Sequence, residues 1–309
     1  MRRLFLHIGW SKTGTTAIQR TLEENRGRLA EAGFTYPGRE RHHAALFRTL
    51  TRTLPGVNAA REAARTITEM RAAPGDLIIS SEGFASLPAG LVRVFFALPR
   101  TRVIVVAYVR EQADRFASHY QQQVKADLES RTFAEFAAPL QIDWTPLLDD
   151  WAAAFGRENL IVRTYDDDVV SDFLDVLGVD AGALDIPAGD PNPSIGGALL
   201  EAKRRFNAGF DGDWRALQKL LYPVLLELAN AYPDYRGRVG ASAALIESIR
   251  ARHRASNETL ARKYLDRAAA FPDRPWPTTP VFTERDVAEA WREVERRLPE
   301  LTQRMKESA

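Results

Sequence analysis

A parallel α/β sheet with flanking helices and a helical C-terminal cap is the fold that three features of the sequence predict. First, apolar runs of strand length alternate with helical patterns through the first 180 residues, the signature of a doubly wound sheet. Second, Val103-Ile104-Val105-Val106-Ala107-Tyr108-Val109 is continuously apolar, as suits a parallel strand covered on both faces. Third, beyond about Asp180 the strand-like runs stop and helical periodicity alone continues. The expected organisation is a sheet core at 1–180 and a mostly helical cap, packed on it, at 181–309.

Each element has its own signal. Leu4-Phe5-Leu6-His7-Ile8 is a buried strand ending at Gly9. Ala17, Ile18, Leu22 and Leu29 form one helical stripe that stops near Gly33. Phe34-Thr35-Tyr36-Pro37 reads as a short edge strand, where a proline is tolerated. Helices are expected at 42–54 and 59–71. After the Pro74-Gly75-Asp76 turn, Leu77-Ile78-Ile79-Ser80 is a second buried strand, broken at Ser81-Glu82-Gly83-Phe84. A helix near 90–98 leads into strand 103–109, helix 111–124 follows, and helix 147–155 precedes strand 159–165. Pro187, Pro191 and Pro193 punctuate a linker, followed by helices at 195–209, 214–230, 241–268 and 284–305, with 271–277 a loop.

Composition narrows the classes. The 309 residues are 45% apolar and 27% charged, ordinary for a globular protein. A net charge of +1 offers no bulk attraction to nucleic acid or membrane, and no nucleic-acid-binding motif is present. The absence of cysteine excludes disulfides, zinc–thiolate sites and thiol chemistry. The first apolar run is too short for a signal peptide, and no segment approaches the ~18 apolar residues of a membrane span. A soluble, cytoplasmic protein is expected.

Ligands of open parallel sheets bind where strands end. The first such corner is Gly9-Trp10-Ser11-Lys12-Thr13-Gly14-Thr15-Thr16, a turn opening a helix. Free N–H groups, the helix dipole, hydroxyls and one cation make it a phosphate cradle of the P-loop type. It departs from the nucleoside-triphosphate loop G-x-x-x-x-G-K-[ST]: Thr15 stands at the lysine position and the lysine precedes the second glycine, as Lys12. A plain corner, with Thr15 or Thr16 as cap, would need neither the lysine nor four hydroxyls in six residues.

Arg110 closes the third strand and Ser118 follows two helical turns later, a guanidinium and hydroxyl suited to a terminal phosphate. Arg115 is an alternative participant, and all three could simply be solvated. Ser80, Ser81 and Glu82 end the second strand. Glu82 is a general-base candidate if an apolar surround raises its pKa, or else an ordinary loop glutamate. His42 and His43 are alternative bases, of which adjacency lets one at most face the site. His7, inside a strand, and His119, beside Ser118, read as structural. Tyr165, Asp166 and Asp167 end the last strand. The Asp166-Asp167-Asp168 run reads as a solvated loop, and no metal-binding pattern is present.

Together these residues resemble the P-loop sulfotransferases that use 3′-phosphoadenosine 5′-phosphosulfate (PAPS). Lys12-Thr13-Gly14-Thr15-Thr16 is close to their 5′-phosphosulfate loop, and Arg110 with Ser118 matches their 3′-phosphate module. The phrasing from Tyr108 to Tyr120 is similar in detail. Trp151 to Phe155, then Gly156-Arg157-Glu158-Asn159-Leu160 and Tyr165-Asp166, are similar to the helix–strand unit that follows. The resemblance covers residues 4–180. It implies metal-independent, in-line transfer of a sulfuryl group from PAPS to a hydroxyl or amine, leaving 3′,5′-adenosine bisphosphate (PAP). It assigns the 5′-phosphosulfate to residues 11–16, including Ser11, with Lys12 on the oxygen bridging sulfur and phosphorus. It assigns the 3′-phosphate to Arg110 and Ser118, an adenine contact to Tyr165 and the base to Glu82, where cytosolic members carry histidine.

Two departures stand out. Glu111-Gln112 replaces the family's frequent Asn-Pro, and no Arg-Lys-Gly element appears, Arg262-Lys263-Tyr264 being the nearest sequence. The acceptor, a small molecule or a glycan, stays open. Cap helices and residues 37–53 are expected to line its pocket. A small-molecule P-loop kinase would require a lysine after Gly14 and a magnesium-binding acid after a strand. A non-catalytic nucleotide-binding protein would keep the loop and tolerate loss of Glu82.

Overall fold

The computed structural model describes residues 1–51, 56–166, 168–189, 193–277 and 281–307, with side chains up to residue 299. The elements, in chain order, are β1 (Arg2–Ile8), α1 (Thr15–Glu24), α2 (Arg26–Glu31), β2 (Phe34–Thr35), α3 (Ala44–Leu50), α4 (Val57–Ala72), β3 (Asp76–Ser81), α5 (Ala89–Phe95), β4 (Thr101–Val109) and α6 (Gln112–Ala126). They continue as α7 (Phe133–Ala137), α8 (Trp144–Phe155), β5 (Leu160–Thr164), α9 (Val169–Leu177), α10 (Gly197–Gly209), α11 (Trp214–Ala231), α12 (Ala243–Leu260) and α13 (Glu284–Glu307). The chain forms two compact units. One holds Met1–Arg110, Asp143–Gly189 and Ala255–Phe271; the other holds Glu111–Ile142, Asp190–Arg254 and Pro272–Ala309. The units therefore interleave along the chain, whereas residue 180 marks a change of sequence character: every strand among the described residues lies before it.

The first unit is a five-stranded parallel sheet in the order β2-β3-β1-β4-β5. β1 is central because Leu4 to Ile8 offer apolar side chains to both faces and are fully buried apart from a trace at Phe5. One face packs Phe5, Ile78, Val106 and Tyr108 against Ile18 and Leu22 of α1 and Phe173 and Leu174 of α9. β2 is a two-residue edge strand, as Phe34-Thr35 predicts, paired only with Asp76 and Leu77.

Several helices differ from their sequence signals. The stripe from Ala17 to Leu29 is two helices, because Asn25 leaves helical geometry to hold the chain at Asp185. Its amide donates to the Asp185 carbonyl and accepts from the Asp185 N–H, each at 2.8 Å. The helix expected at 42–54 is α3; residues 52–55 lie outside the described residues, as do Asp167 and part of the proline linker, residues 190–192. The helix expected to run to 268 ends at Leu260 and widens into a π-helical turn, Ala261–Leu265, closed by Asp266 in the left-handed region. Two helices were not anticipated. α7 carries a Thr132–Glu135 capping box, and α9 is capped by Asp168 and closed by left-handed Gly178.

Among its described residues the second unit has helices and no strand, with a core drawn from α6, α10, α11 and α13. The carboxyl end of α6 is satisfied by side chains of that core. Asn207 donates to the Val124 carbonyl and Gln218 to that of Ala126, and the buried Lys203 ammonium reaches Asp127. Among the described residues no helix is long and apolar enough to cross a membrane.

Beneath the carboxyl end of the sheet lies a buried polar cluster. Gln19 of α1 donates to the Ser80 hydroxyl at 3.0 Å, and the same hydroxyl is hydrogen-bonded to His7 Nδ1 at 2.8 Å on the neighbouring strand. The Ser80 N–H donates to His43 Nδ1 at 3.0 Å, so the His43 proton sits on Nε2 and bonds the Pro37 carbonyl at 2.9 Å. Burial pushes the His7 imidazole down to about 3 and that of His43 down to about 4, from an ordinary 6.5. Both stay neutral in the fold while the unfolded chain protonates at 6.5, so stability falls as pH drops from about 6.5 towards 4. Urea denaturation between pH 7 and pH 4 should show a loss of up to about 3 kcal/mol per histidine. A His7→Gln/His43→Asn variant should flatten that acid limb.

Candidate functional site

Parallel strands finish at one rim, and register orders what stands there. Ile8 lies opposite Ser81 of β3 and Ala107 of β4, while Val109 lies opposite Thr164 of β5. Neighbouring strands are about 4.8 Å apart, so the chain leaving β3 at Glu82 runs beside Gly9. By the β4–β5 register Tyr165 runs beside Arg110. The Tyr165 N–H extends the β4–β5 ladder onto the Val109 carbonyl at 2.7 Å.

The loop after β1 is held in a conformation that side chains rarely adopt. Lys12 has φ +70°, in the left-handed region, at a cost of roughly 1–2 kcal/mol for a residue with a Cβ. Two hydrogen bonds hold the loop around it. Arg110 Nη1 donates to the Lys12 carbonyl at 2.8 Å, and the Thr13 hydroxyl donates to the Trp10 carbonyl at 2.6 Å. Gly14 is left-handed at φ +80° and serves as N-cap of α1 with no side chain capping the helix. A left-handed residue followed by the right-handed first turn turns successive N–H groups towards one point, an anion nest.

The four hydroxyls of the loop divide by orientation. Ser11 and Thr16 are exposed. Thr13 is buried and committed to Trp10. Thr15 is buried against Gly9, where a Cβ would collide with it, and its hydroxyl has no hydrogen-bond partner. Thr15 therefore faces the floor of the loop, whereas Thr16 faces outward.

Arg110 is the hub of this rim. Besides the Lys12 carbonyl, its guanidinium lies 4.5 Å from the centre of the Tyr165 ring. Its own carbonyl accepts from the Trp144 indole at 3.1 Å, and Trp144 packs edge-on against Trp10. Tyr165 and Val169 in turn cover Gly14, where a Cβ would come within 2.8 and 2.7 Å of them. Lys12, Gly14, Arg110 and Tyr165 are thus one connected assembly. Neither the Arg110–Lys12 bond nor the Trp10–Trp144 brace has a signal in residue spacing.

The remaining candidates are distributed as follows. Glu82 opens a 3₁₀ turn (Glu82–Ser86) and is exposed rather than set in an apolar surround. His42 is exposed, whereas His43 is buried with both ring nitrogens engaged, which removes it as an alternative base. Ser80 and Ser81 are buried rather than displayed on the rim. Ser118, Arg115 and His119 lie on α6 in the helical unit, where His119 packs on Phe136. Glu111, also there, caps α6 by accepting from the Asp114 N–H and pairs with Arg250, so its carboxylate is committed to local partners. Asp168 is the N-cap of α9, and the described residues contain no group of three or more acidic or histidine side chains able to hold a metal ion.

Arg262-Lys263-Tyr264 lies away from this rim. Lys263 and Tyr264 both engage Asp149, and Arg157 donates to the Tyr264 carbonyl and to that of Leu160, the first residue of β5. That is the amino end of the strand, about 13 Å from the carboxyl end.

No protein-family model matches the chain. An uncharacterized protein of Archaeoglobus fulgidus is 31% identical over 138 residues, 42% of this chain and 38% of that one, so the match spans well under half of the relative. Among solved structures, a sulfotransferase from Alicyclobacillus acidocaldarius aligns with 75% of this chain and 96% of its own, at 16% identity and a TM-score of 0.41. What the rim can do therefore follows from its own residues.

The geometry makes Gly14→Ala a sharp test of the loop. Positive φ and two collisions should cost about 1–3 kcal/mol in urea denaturation. The same variant should lose anion binding at the loop, measured by calorimetry with PAP. Unchanged stability and binding would mean that the left-handed corner is dispensable.

Proposed function

We propose that the protein is a sulfotransferase that moves a sulfuryl group from PAPS to a hydroxyl or amine of an acceptor. The observation that carries this reading is the joining of the loop to Arg110: a lysine before the second glycine, an uncapped helix start and an arginine bonded to the loop's own backbone. An ATP-type loop places its lysine after that glycine. The nest at Gly14, the cations Lys12 and Arg110 and the Tyr165 ring fit the phosphates and adenine of such a nucleotide.

Bound there, PAPS supplies an activated sulfuryl group. In this reading the N–H groups of the first turn of α1 hold the 5′-phosphate, and Lys12 Nζ stands at the oxygen bridging sulfur and phosphorus. The bond between sulfur and that oxygen breaks as the bond from sulfur to the acceptor oxygen or nitrogen forms. The lysine charge counts most as the bridging oxygen gains charge, so it stabilises the transition state more than the ground state. Arg110 reads the 3′-phosphate. Glu82 takes the acceptor proton. Its exposure leaves it reachable by an acceptor arriving from solvent.

Calorimetry without magnesium should show PAP binding far more tightly than ATP or AMP; equal affinities would sink the proposal, and tighter ATP binding would favour a kinase. Arg110→Ala should weaken PAP by about 10- to 100-fold. Because Arg110 also holds the Lys12 carbonyl, AMP should weaken too, but less; equal losses would mean that Arg110 serves only the loop. Glu82→Gln should lower turnover in an acceptor screen with labelled PAPS while leaving PAP affinity intact. Full turnover in that variant would move the base to His42.

A further inference from the structure

β3 outruns its neighbour on one side. β2 pairs with Asp76 and Leu77 and then ends, so Ile78 to Ser81 have β1 on one edge and, among the described residues, no strand on the other. At Ser80 the missing partner is replaced by a single residue. The His43 N–H donates to the Ser80 carbonyl at 2.9 Å, and the Ser80 N–H donates to His43 Nδ1 at 3.0 Å. Backbone and imidazole together thus reproduce the donor–acceptor pair that a strand would offer. The ring is itself fixed, through Nε2 on the Pro37 carbonyl and an edge-on contact with Tyr36.

One turn further on, the same segment reaches the other side of Glu82. Phe47 of α3 lies on Gly83, so closely that a Cβ there would come within 2.5 Å of the ring. The N-cap and first turn of α3 therefore grip the chain two residues before Glu82 and one residue after it. Glu82 has no buried partner of its own to fix it, being exposed at the start of the 3₁₀ turn.

We infer that His43 is a positioning residue: by standing in for a strand at Ser80, with Phe47 closing on Gly83, it fixes the backbone that carries Glu82 at the rim. The catalytic consequence rests on the proposed role of Glu82, whereas the grip on the backbone does not. A misplacement of a catalytic group by about 1 Å costs as much as 100-fold in rate, so a small shift of this turn is enough to matter.

Two substitutions separate the ring nitrogens. Asn places an amide oxygen where Nδ1 stands and keeps the acceptor for Ser80, whereas Gln reaches towards Pro37 and loses it. His43→Gln should raise amide hydrogen exchange at residues 80–84 by about tenfold or more, with exchange in β1 and β4 unchanged, and His43→Asn should restore protection. With labelled PAPS and a productive acceptor, His43→Gln should lower kcat by about tenfold with the KM for PAPS and the Kd for PAP within about twofold of wild type, and His43→Asn should recover most of kcat. Equal behaviour of the two variants in exchange overturns the positioning role. Intact Asn-specific protection together with a wild-type protein that neither binds PAP nor turns over PAPS overturns the sulfotransferase reading instead. Phe47→Leu, which leaves His43 in place, should loosen residues 82–84 alone; unchanged exchange there removes Phe47 from the device.

Discussion

The hydrogen bond from Arg110 to the Lys12 carbonyl is the contact on which the functional end of this molecule turns. It joins two strand ends that the sheet merely sets side by side, and it holds a lysine in a backbone conformation normally left to glycine. Through the guanidinium it also draws in Tyr165, which covers Gly14, so that loop, strand end and aromatic lid share one cation. A hydrogen bond to a charged donor, worth about 1.5–3 kcal/mol, is the right size to offset the strain at Lys12.

The framework under that contact comes from sheet physics. Parallel pairing on both sides of β1 puts every strand's carboxyl end at one edge, where unpaired N–H groups and helix starts collect. The buried cluster of Gln19, Ser80, His7 and His43 ties this edge together from beneath, and it does so with neutral imidazoles. Polar groups at such depth persist when they are paired, and in this cluster His7 Nε2 is the atom left without a partner.

Much of this was legible in the residues. Continuous apolarity marked β1, β3 and β4, and the short Phe34-Thr35 run before Pro37 marked an edge. The lysine displaced to position 12 and the arginine at 110 stood out by type and place. What escaped was fixed by partners remote in sequence. Asn25 breaks a helix to hold Asp185, 160 positions on, and no local pattern carries that. The segments Glu111–Ile142 and Ala255–Phe271 join units that their neighbours in sequence do not, because packing decides membership. His43 looked like one of two interchangeable histidines, and only burial separates it from exposed His42. α7 and α9 were readable in principle, from the Thr132–Glu135 box and from the Asp168 and Gly178 that bracket a helix.

The two-residue length of β2 has a consequence for how the protein behaves among other copies of itself. A strand left open along its flank is a template for any extended chain that drifts past, and sheets commonly fail at such places. On β3 the vulnerable groups at Ser80 are already occupied by His43, and the preceding segment is stitched down, with Arg26 donating to the carbonyls of Tyr36, Gly38 and Glu40. A side chain and a pinned loop thus close the flank of β3 where β2 stops short. At Ser80, the N–H and carbonyl that an added strand would pair with are already taken.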